Sequence, residues 1–468
     1  MTQLVRERIS GRAQALWCGA FSLYFMFLRV PELLANWDGE DANGHCAAIL
    51  LGWAAPTELI FSRIDGLSNF HVGFLHPNAP YLLLSLIGKL VRTLVPLATL
   101  HGQTLIFALK AIVSLLQLSV FLALLLLAFR YARSRIPIVW VWVLAAIPIA
   151  LYGSNEIQPD SSTGWFFIAL FFISTLLAQS PDIGRPAGML WLLAGGFAAG
   201  LGKCEWTLCL AAALVATALA HPLARFVASR RSEVPTHASG RDAIGVILAV
   251  SIGLTAGNIV SYLLYPPDYT GGWEILQSMI VQASILSGDT GTWWGLFRPK
   301  LPYIFFHFVV DASILIQLLR RPKIYSPALL LAIAFANALF FSYVFSSWGS
   351  YPRYFAPAFI GFGTCFLIIL LRSPSGDGRS WAVAGTIVLV ALQSLTYQLT
   401  SHYWRLWRGN NDVTARISKL ESNPGGCVLV VDYSFVLDRP NVEFVHAPFG
   451  RDITDRYLAS IGRVPCTL

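Results

Sequence analysis

Three carboxylates stand within four positions of the sequence, in the segment Asn36-Trp37-Asp38-Gly39-Glu40-Asp41-Ala42-Asn43-Gly44-His45. The segment follows a long apolar run, where ionised side chains are costly unless they face water or take part in chemistry. One reading is structural, because Asp38 suits a helix N-cap and acidic residues in a first turn complement the helix dipole. The other is catalytic, because a carboxylate beside an acceptor hydroxyl or amine can remove its proton, an effect of about 10²–10⁴-fold in rate.

Two further polar segments carry secondary candidates. His76 precedes the apolar stretch that begins at Tyr81, and it is either a solvated loop histidine or a side chain of the same site. Asp160 lies in a polar turn between two apolar runs. It is either the N-cap of the next helix or a second acidic residue of the same site. These residues and the seven cysteines form no zinc-like motif, so we predict no metal-ligand set, while a divalent cation stays open as a cofactor.

Two cations stand at the ends of apolar runs. Lys203 separates two such runs, and Arg353 belongs to Trp348-Gly-Ser-Tyr-Pro-Arg-Tyr-Phe-Ala-Pro357. A single cation at a membrane interface is most often an anchor. A pair on one face can instead bind a lipid phosphate, for which the guanidinium offers a rigid fork of donors.

The composition indicates an integral membrane protein. Of 468 residues, 56% are hydrophobic and only 12% are charged, about half the charged share of a soluble domain. The net charge of +8 comes from basic residues in short connections between apolar runs, which is a topology signal, so we predict no nucleic-acid partner.

The apolar runs predict an all-α polytopic membrane protein with about eleven transmembrane helices. The first run is longer than a signal-peptide core and is interpreted as a membrane helix. The predicted spans are 13–31, 104–129, 136–152, 162–178, 187–202, 205–222, 242–264, 301–319, 325–346, 354–371 and 380–400. They form a transmembrane domain over residues 1–400.

The basic connections predict which side each segment occupies. Those around Arg133, Arg185, Arg230, Lys323 and Arg379 all fall on the side of the N-terminus, which is therefore cytoplasmic. We expect a bacterial plasma membrane location with the site outside.

The segments expected on the outer side are 32–103, 153–161, the short turn near Lys203, 265–300, 347–353 and 401–468, and two of them carry predicted structure of their own. The first is the long loop 32–103, in which residues 81–91 form a juxtamembrane or re-entrant helix. The second is the small segment 401–468, with a strand within residues 425–432. Whether Cys427 and Cys466 pair stays open.

The order of these segments resembles the multi-pass C-type glycosyltransferases, in particular the dolichyl-phosphate-mannose protein mannosyltransferase and aminoarabinose transferase relatives. His76-Pro-Asn-Ala-Pro-Tyr81 is similar to the family's His-Pro-Pro-Leu-Tyr, and Arg353-Tyr-Phe-Ala-Pro357 to its Arg-Tyr-Leu-Leu-Pro. The glycine-rich run ending at Lys203 has a counterpart there too. The acidic pair reads Glu40-Asp41 where the family has Asp-Glu, so Asp38, Glu40 and Asp41 all stay candidates for the base.

The resemblance implies an inverting glycosyltransferase that moves a sugar from a polyprenyl-phosphate carrier to a glycolipid, polysaccharide or protein acceptor outside the cytoplasm. In that reaction one of the three carboxylates activates the acceptor, and Lys203 and Arg353 bind the departing phosphate. His76 and Asp160 are secondary site residues. The alternatives are a glycolipid transporter or flippase, and a polymerase or ligase of surface polysaccharide.

Overall fold

The computed structural model describes nine long helices and two short strands. The described residues are 11–34, 79–80, 83, 86–87, 90, 102–131, 164–179, 183–202, 204–230, 240–263, 300–320, 325–345, 356–372, 428–431 and 443–446. The helices are α1 (Gly11–Leu34), α2 (Gly102–Tyr131), α3 (Trp165–Ala178), α4 (Arg185–Leu201), α5 (Cys204–Arg230), α6 (Gly240–Leu263), α7 (Leu301–Arg320), α8 (Pro327–Phe345) and α9 (Ala356–Arg372).

Each of these helices coincides with a predicted span, and the other two predicted spans, 136–152 and 380–400, lie outside the described residues. Four apolar windows of the described helices are long enough to cross a membrane: Lys110–Leu127, Trp206–Leu223, Asp242–Ser261 and Pro327–Val344. Trp165–Ala178 and Tyr303–Leu319 are shorter apolar helices. The helical architecture is that of an integral membrane protein.

Two smaller predicted elements also contain residues that the structure describes. Ala79, Pro80, Leu83, Leu86, Ile87 and Leu90 are all helical, which agrees with the helix predicted over residues 81–91. In the C-terminal segment β1 (Val428–Val431) pairs in parallel with β2 (Glu443–His446), and β1 lies where the sequence predicted a strand.

Side-chain contacts give the relative directions of the helices around α8. His307 of α7 stacks on Phe340 and Asp311 accepts a hydrogen bond from Asn337, so α7 and α8 run in opposite directions. Helix α5 also runs opposite to α8, since His221 contacts Tyr325, two residues before α8, and Cys209 contacts the Ala338 carbonyl within it.

The closest helix packing involves α4 and α6, which run in the same direction. A Cβ atom added at Gly253 or Gly257 of α6 would collide with the Leu193 or Phe197 carbonyl of α4. Backbones can approach this closely only where side chains are absent, as in small-xxx-small contacts of membrane helices. The glycines at spacing four in both helices therefore explain why these helices pack together.

Aromatic side chains fill the centre of the bundle. Phe171, Phe172 and Phe335 pack with ring centroids 5.0–5.5 Å apart and join α3 to α8. Gly361 of α9 fits against Phe172 and Ala336, where any larger residue would collide. Ser326 begins α8 as an N-cap, its hydroxyl accepting a hydrogen bond from the Leu329 amide at 3.1 Å.

Candidate functional site

The sequence-predicted site residues all lie outside the described residues. They are Asp38, Glu40, Asp41, His76, Asp160, Lys203 and Arg353. Their chain neighbours are described, however: α1 ends at Leu34, α4 and α5 are separated only by positions 202 and 203, and α9 begins three residues after Arg353.

Several helix ends next to these positions lie at the same end of the bundle. Because α5 and α7 both run opposite to α8, their first residues lie beside the last turn of α8. Helix α9 runs with α7, since Phe362 contacts His307 and, one turn further along both helices, Cys365 lies in the electrostatic field of Asp311. The junction of α4 with α5 and the start of α9 therefore share one end.

A hydrogen bond between buried polar side chains joins α1 to α2, and two further buried polar side chains lie on the same face of α2. Arg29, Lys110, Ser114 and Gln117 are each at most 1% exposed, and we refer to these four residues as the basic cluster. The Arg29 guanidinium donates a hydrogen bond to the Gln117 side-chain oxygen. Lys110, Ser114 and Gln117 share one face of α2 at spacings of four and three.

Within the basic cluster, Arg29 lies over an aromatic ring. Phe25 lies beneath the Arg29 guanidinium, with the ring centroid 5.4 Å from Cζ. Phe25 contacts Phe21 and Phe121, and Phe121 contacts Trp165 at the start of α3. Because Phe25 pairs with Phe121 and Arg29 with Gln117, α1 and α2 run in opposite directions, and Lys110 lies towards the end of α1 that leads into the acidic segment.

The sequence interpretation missed the basic cluster. Arg29 lay at the end of the first predicted span, and Lys110 was hidden inside the apolar run 104–129. The signal that could have found them is the rarity of charged residues within membrane helices, where they normally face the protein interior.

A second buried polar group joins α7 to α8. His307 Nε2 lies 3.1 Å from a carboxylate oxygen of Asp311, and Asp311 accepts a hydrogen bond from the Asn337 amide at 3.3 Å. The imidazole is 2% exposed and is surrounded by Phe340, Phe341 and Phe362. Asp311 is about a third exposed, so the carboxylate marks the edge of this group.

Lys300 has a structural role at the start of α7. Its ammonium donates hydrogen bonds to the Tyr343 and Val344 carbonyls, at 3.1 and 2.5 Å, in the last turn of α8. A cation there complements the negative end of the helix dipole. Burial lowers the pKa of Lys300, which precedes the span, to about 8.

Comparisons with known proteins give little further information. No family model matches the sequence, and no curated protein matches it. Among solved structures, the chain is similar to the oligosaccharyltransferase of Archaeoglobus fulgidus crystallised with zinc and sulfate, at a TM-score of 0.43 and 16% identity. The alignment covers 83% of this chain and 53% of that one, so this chain spans about half its length. Similarity at this level defines neither a shared fold nor a shared activity.

Proposed function

We propose that the protein is a membrane glycosyltransferase that moves a sugar from a polyprenyl-phosphate carrier to an acceptor on the non-cytoplasmic face. The observation that carries the proposal is the common position of the helix ends that flank Lys203 and Arg353. In the sequence, Lys203 directly follows Gly202 and Arg353 precedes Ala356 by three residues. The shared position of these helix ends supports the proposal that both cations serve one site.

The proposed reaction is a single displacement. The acceptor oxygen forms a bond to the anomeric carbon while the bond from that carbon to the phosphate oxygen breaks, through an oxocarbenium-like state. Asp38, Glu40 or Asp41 takes the acceptor proton, and Lys203 and Arg353 balance the charge of the departing phosphate. Attack opposite the leaving group inverts the anomeric carbon.

His76 and Asp160 remain secondary candidates. The described residues contain no group of three or more His, Cys, Asp or Glu side chains able to hold a metal ion, and we assign no step to one. The identity of the acceptor decides between the remaining alternatives. Transfer to a protein or lipid indicates glycosylation of that molecule, and transfer to a glycan indicates a polysaccharide polymerase or ligase.

Transfer in proteoliposomes tests the proposal. With a radiolabelled polyprenyl-phosphate sugar and a mixed acceptor fraction, we expect transfer by the wild type and a loss of at least about 100-fold in the Asp38→Asn, Asp41→Asn double variant. Parallel reactions with EDTA, and with Mg²⁺ or Mn²⁺ restored, determine the metal requirement.

Asp242→Asn is the matched control. Asp242 pairs with Arg185 at 2.6 Å, at the beginnings of α6 and α4. This variant should transfer sugar like the wild type. Undiminished transfer by the double variant would show that neither aspartate is the base.

One observation favours a second function, proton-coupled transport of a glycolipid without bond formation. The pair His307–Asp311 lies in a membrane helix, and chains of such residues carry protons in transporters. A fluorescent glycolipid analogue in proteoliposomes separates the two functions. Movement between leaflets that depends on a pH gradient, with no transfer to any acceptor, would favour transport.

A further inference from the structure

We propose that Asp311 of helix α7 binds a small monovalent cation, a proton or Na⁺, and that His307 and Asn337 position its carboxylate. Asp311 is near the middle of the 20-residue helix, about 15 Å along the axis from its first residue. Ionisable side chains at such a depth in a membrane helix commonly serve the movement of ions or protons. The inference goes beyond the proposed sugar transfer, which gives Asp311 no role.

The hydrogen bonds of this group define its charge. The Asp311 carboxylate accepts a hydrogen bond from the Asn337 amide at 3.3 Å, and its other oxygen lies 3.1 Å from His307 Nε2. His307 Nδ1 is shielded from solvent and has no hydrogen-bond partner among the residues that the structure describes. A proton on Nδ1 would be a buried, unpaired donor, so the proton stays on Nε2 and is donated to Asp311. The imidazole is then neutral, and the group keeps the single negative charge of the carboxylate.

Asp311 lies where the buried side of α7 meets its exposed side. Viewed along the helix axis, it is about 40° from the buried His307 and about 60° from the exposed Phe308. The side chain of Asp311 is 31% exposed, whereas that of His307 is 3% exposed. One side of the carboxylate is therefore fixed by hydrogen bonds, and a cation can reach the other side without separating the helices.

The open positions of the group are all hydrogen-bond acceptors. An ionised carboxylate has about four lone-pair sites, and the two hydrogen bonds occupy two of them. Asn337 uses its amide hydrogens toward Asp311 and toward the Ile333 carbonyl, the latter at 3.0 Å, which leaves the Asn337 side-chain oxygen as a further acceptor. Oxygen atoms of this kind bind protons and coordinate hard cations.

The single negative charge favours a monovalent cation. Divalent cations are usually bound by more oxygen ligands than Asp311 and Asn337 supply. In the described part of the chain, no group of three or more His, Cys, Asp or Glu side chains could hold a metal ion. One carboxylate and one amide oxygen, completed by water, suit an ion of charge one. Because an ion that enters from one side crosses part of the membrane potential, its occupancy should depend on voltage.

Thermal unfolding of the full-length protein in detergent tests Na⁺ binding, with NaCl exchanged for choline chloride at constant ionic strength. If the cation is Na⁺, the thermal midpoint of the wild type should rise with Na⁺ concentration, because a ligand of the folded state stabilises it. We expect the apparent affinity to fall by at least about 10-fold in Asp311→Asn, which keeps the shape and removes the charge. Asn337→Leu should weaken Na⁺ binding as well, because it removes one ligand and one donor.

Infrared difference spectroscopy between acidic and alkaline buffer tests proton binding. If the cation is a proton, Na⁺ should leave the midpoint unchanged, and a band of a protonated carboxyl group in apolar surroundings should appear in acid. This band should be absent from Asp311→Asn, and its frequency should change in Asp311→Glu.

Asp242→Asn is the matched control, because it also removes one carboxylate from a membrane helix, at the start of α6, where Asp242 pairs with Arg185. It should keep the Na⁺ response and the carboxyl band of the wild type. Folding of each variant is checked by its size-exclusion profile. Where Asp311→Asn is not recovered in folded form, Asp311→Glu and Asn337→Leu provide the comparison, because both keep the negative charge and change the ligand geometry.

A Na⁺ response or a carboxyl band that is lost in Asp311→Asn and kept in Asp242→Asn would support the cation site. Absence of both signals from the wild type, or signals of unchanged strength in the Asp311 and Asn337 variants, would overturn it. Sugar transfer is measured separately. Cation binding by a protein that transfers no sugar would contradict the transferase and leave the cation site standing.

Discussion

His307 is a polar side chain in a position that packing alone would give to phenylalanine. Three phenylalanine rings surround it, and its ring stacks on Phe340 at a centroid distance of 3.8 Å. His307→Phe is therefore expected to keep the stability of the wild type within about 1.5 kcal/mol. His307→Ala should lose about 2–4 kcal/mol, because it leaves a cavity. Unfolding in detergent, followed by tryptophan fluorescence, measures both changes.

Activity assays of the same two variants separate packing from chemistry. If the imidazole serves only as a packed ring, His307→Phe will transfer or transport at the wild-type rate. A stable but inactive His307→Phe would assign a functional role to the pair with Asp311. Equal destabilisation by both substitutions would show that the hydrogen bond to Asp311, and not the ring, stabilises α7 against α8.

Lys300 gives a pH dependence of stability with a defined sign. Its pKa is about 8 in the folded protein and near 10.5 in the unfolded chain, so the unfolded chain holds more protons between these values. The free energy of unfolding should therefore rise with pH from about 8 to 10.5, by at most ~1.4 kcal/mol per pH unit. The thermal midpoint of the wild type, minus that of Lys300→Met, should increase over this range. A flat difference would contradict the lowered pKa.

Single residues were the least predictable part of the molecule. The candidates predicted from the sequence are mostly charged residues in the connections between apolar runs, and these positions lie outside the described residues. Arg29, Lys110, His307 and Asp311 lie within apolar runs. Arg29 and Asp311 bond to Gln117 and Asn337, which are 88 and 26 positions away in the sequence. Only a three-dimensional arrangement shows that Arg29 meets Gln117, or that Asp311 meets Asn337.

At the scale of elements, the contact between α4 and α6 depends on glycine. Gly253→Ala should destabilise the protein by about 1–3 kcal/mol, because the new methyl group would collide with the Leu193 carbonyl and a backbone cannot rotate away. The thermal midpoint in detergent measures the effect.

Gly363→Ala is the control, since no atom lies within 4 Å of the position that its Cβ would occupy. It should leave the midpoint unchanged or raise it slightly, because alanine favours the helix by up to about 1 kcal/mol. Equal effects of the two substitutions would show that helix propensity, and not close packing, governs both sites.

The helices themselves were well predicted. Nine of the eleven predicted spans coincide with described helices because a long apolar run has one favourable conformation in lipid, where every backbone group must find its hydrogen bond within the segment. Which helices pack together was not predictable in this way. The parallel pairing of α4 with α6 depends on which face carries the glycines, a detail that average hydropathy does not contain.

For the whole molecule, sidedness is the main untested prediction. The basic connections predict that the segment before Arg185 faces the cytoplasm and that position 203 faces outward. A green fluorescent protein fused after Gly184 should therefore fluoresce, and alkaline phosphatase fused after Gly202 should be active. The reverse pattern would place the proposed site on the cytoplasmic face and remove the carrier-dependent reaction.

The parallel contact of α4 with α6 also has a consequence for biogenesis. Helix α4 contains four glycines, and we expect it to insert only weakly by itself. The surface that accommodates these glycines belongs to α6, which is synthesised about 40 residues later. Helix α4 can therefore reach its final packing only after Leu263 has left the ribosome and α6 has entered the bilayer. Until then α4 depends on the insertion machinery or on α3, so chains stalled between α5 and α6 should be degraded faster than chains stalled after α6.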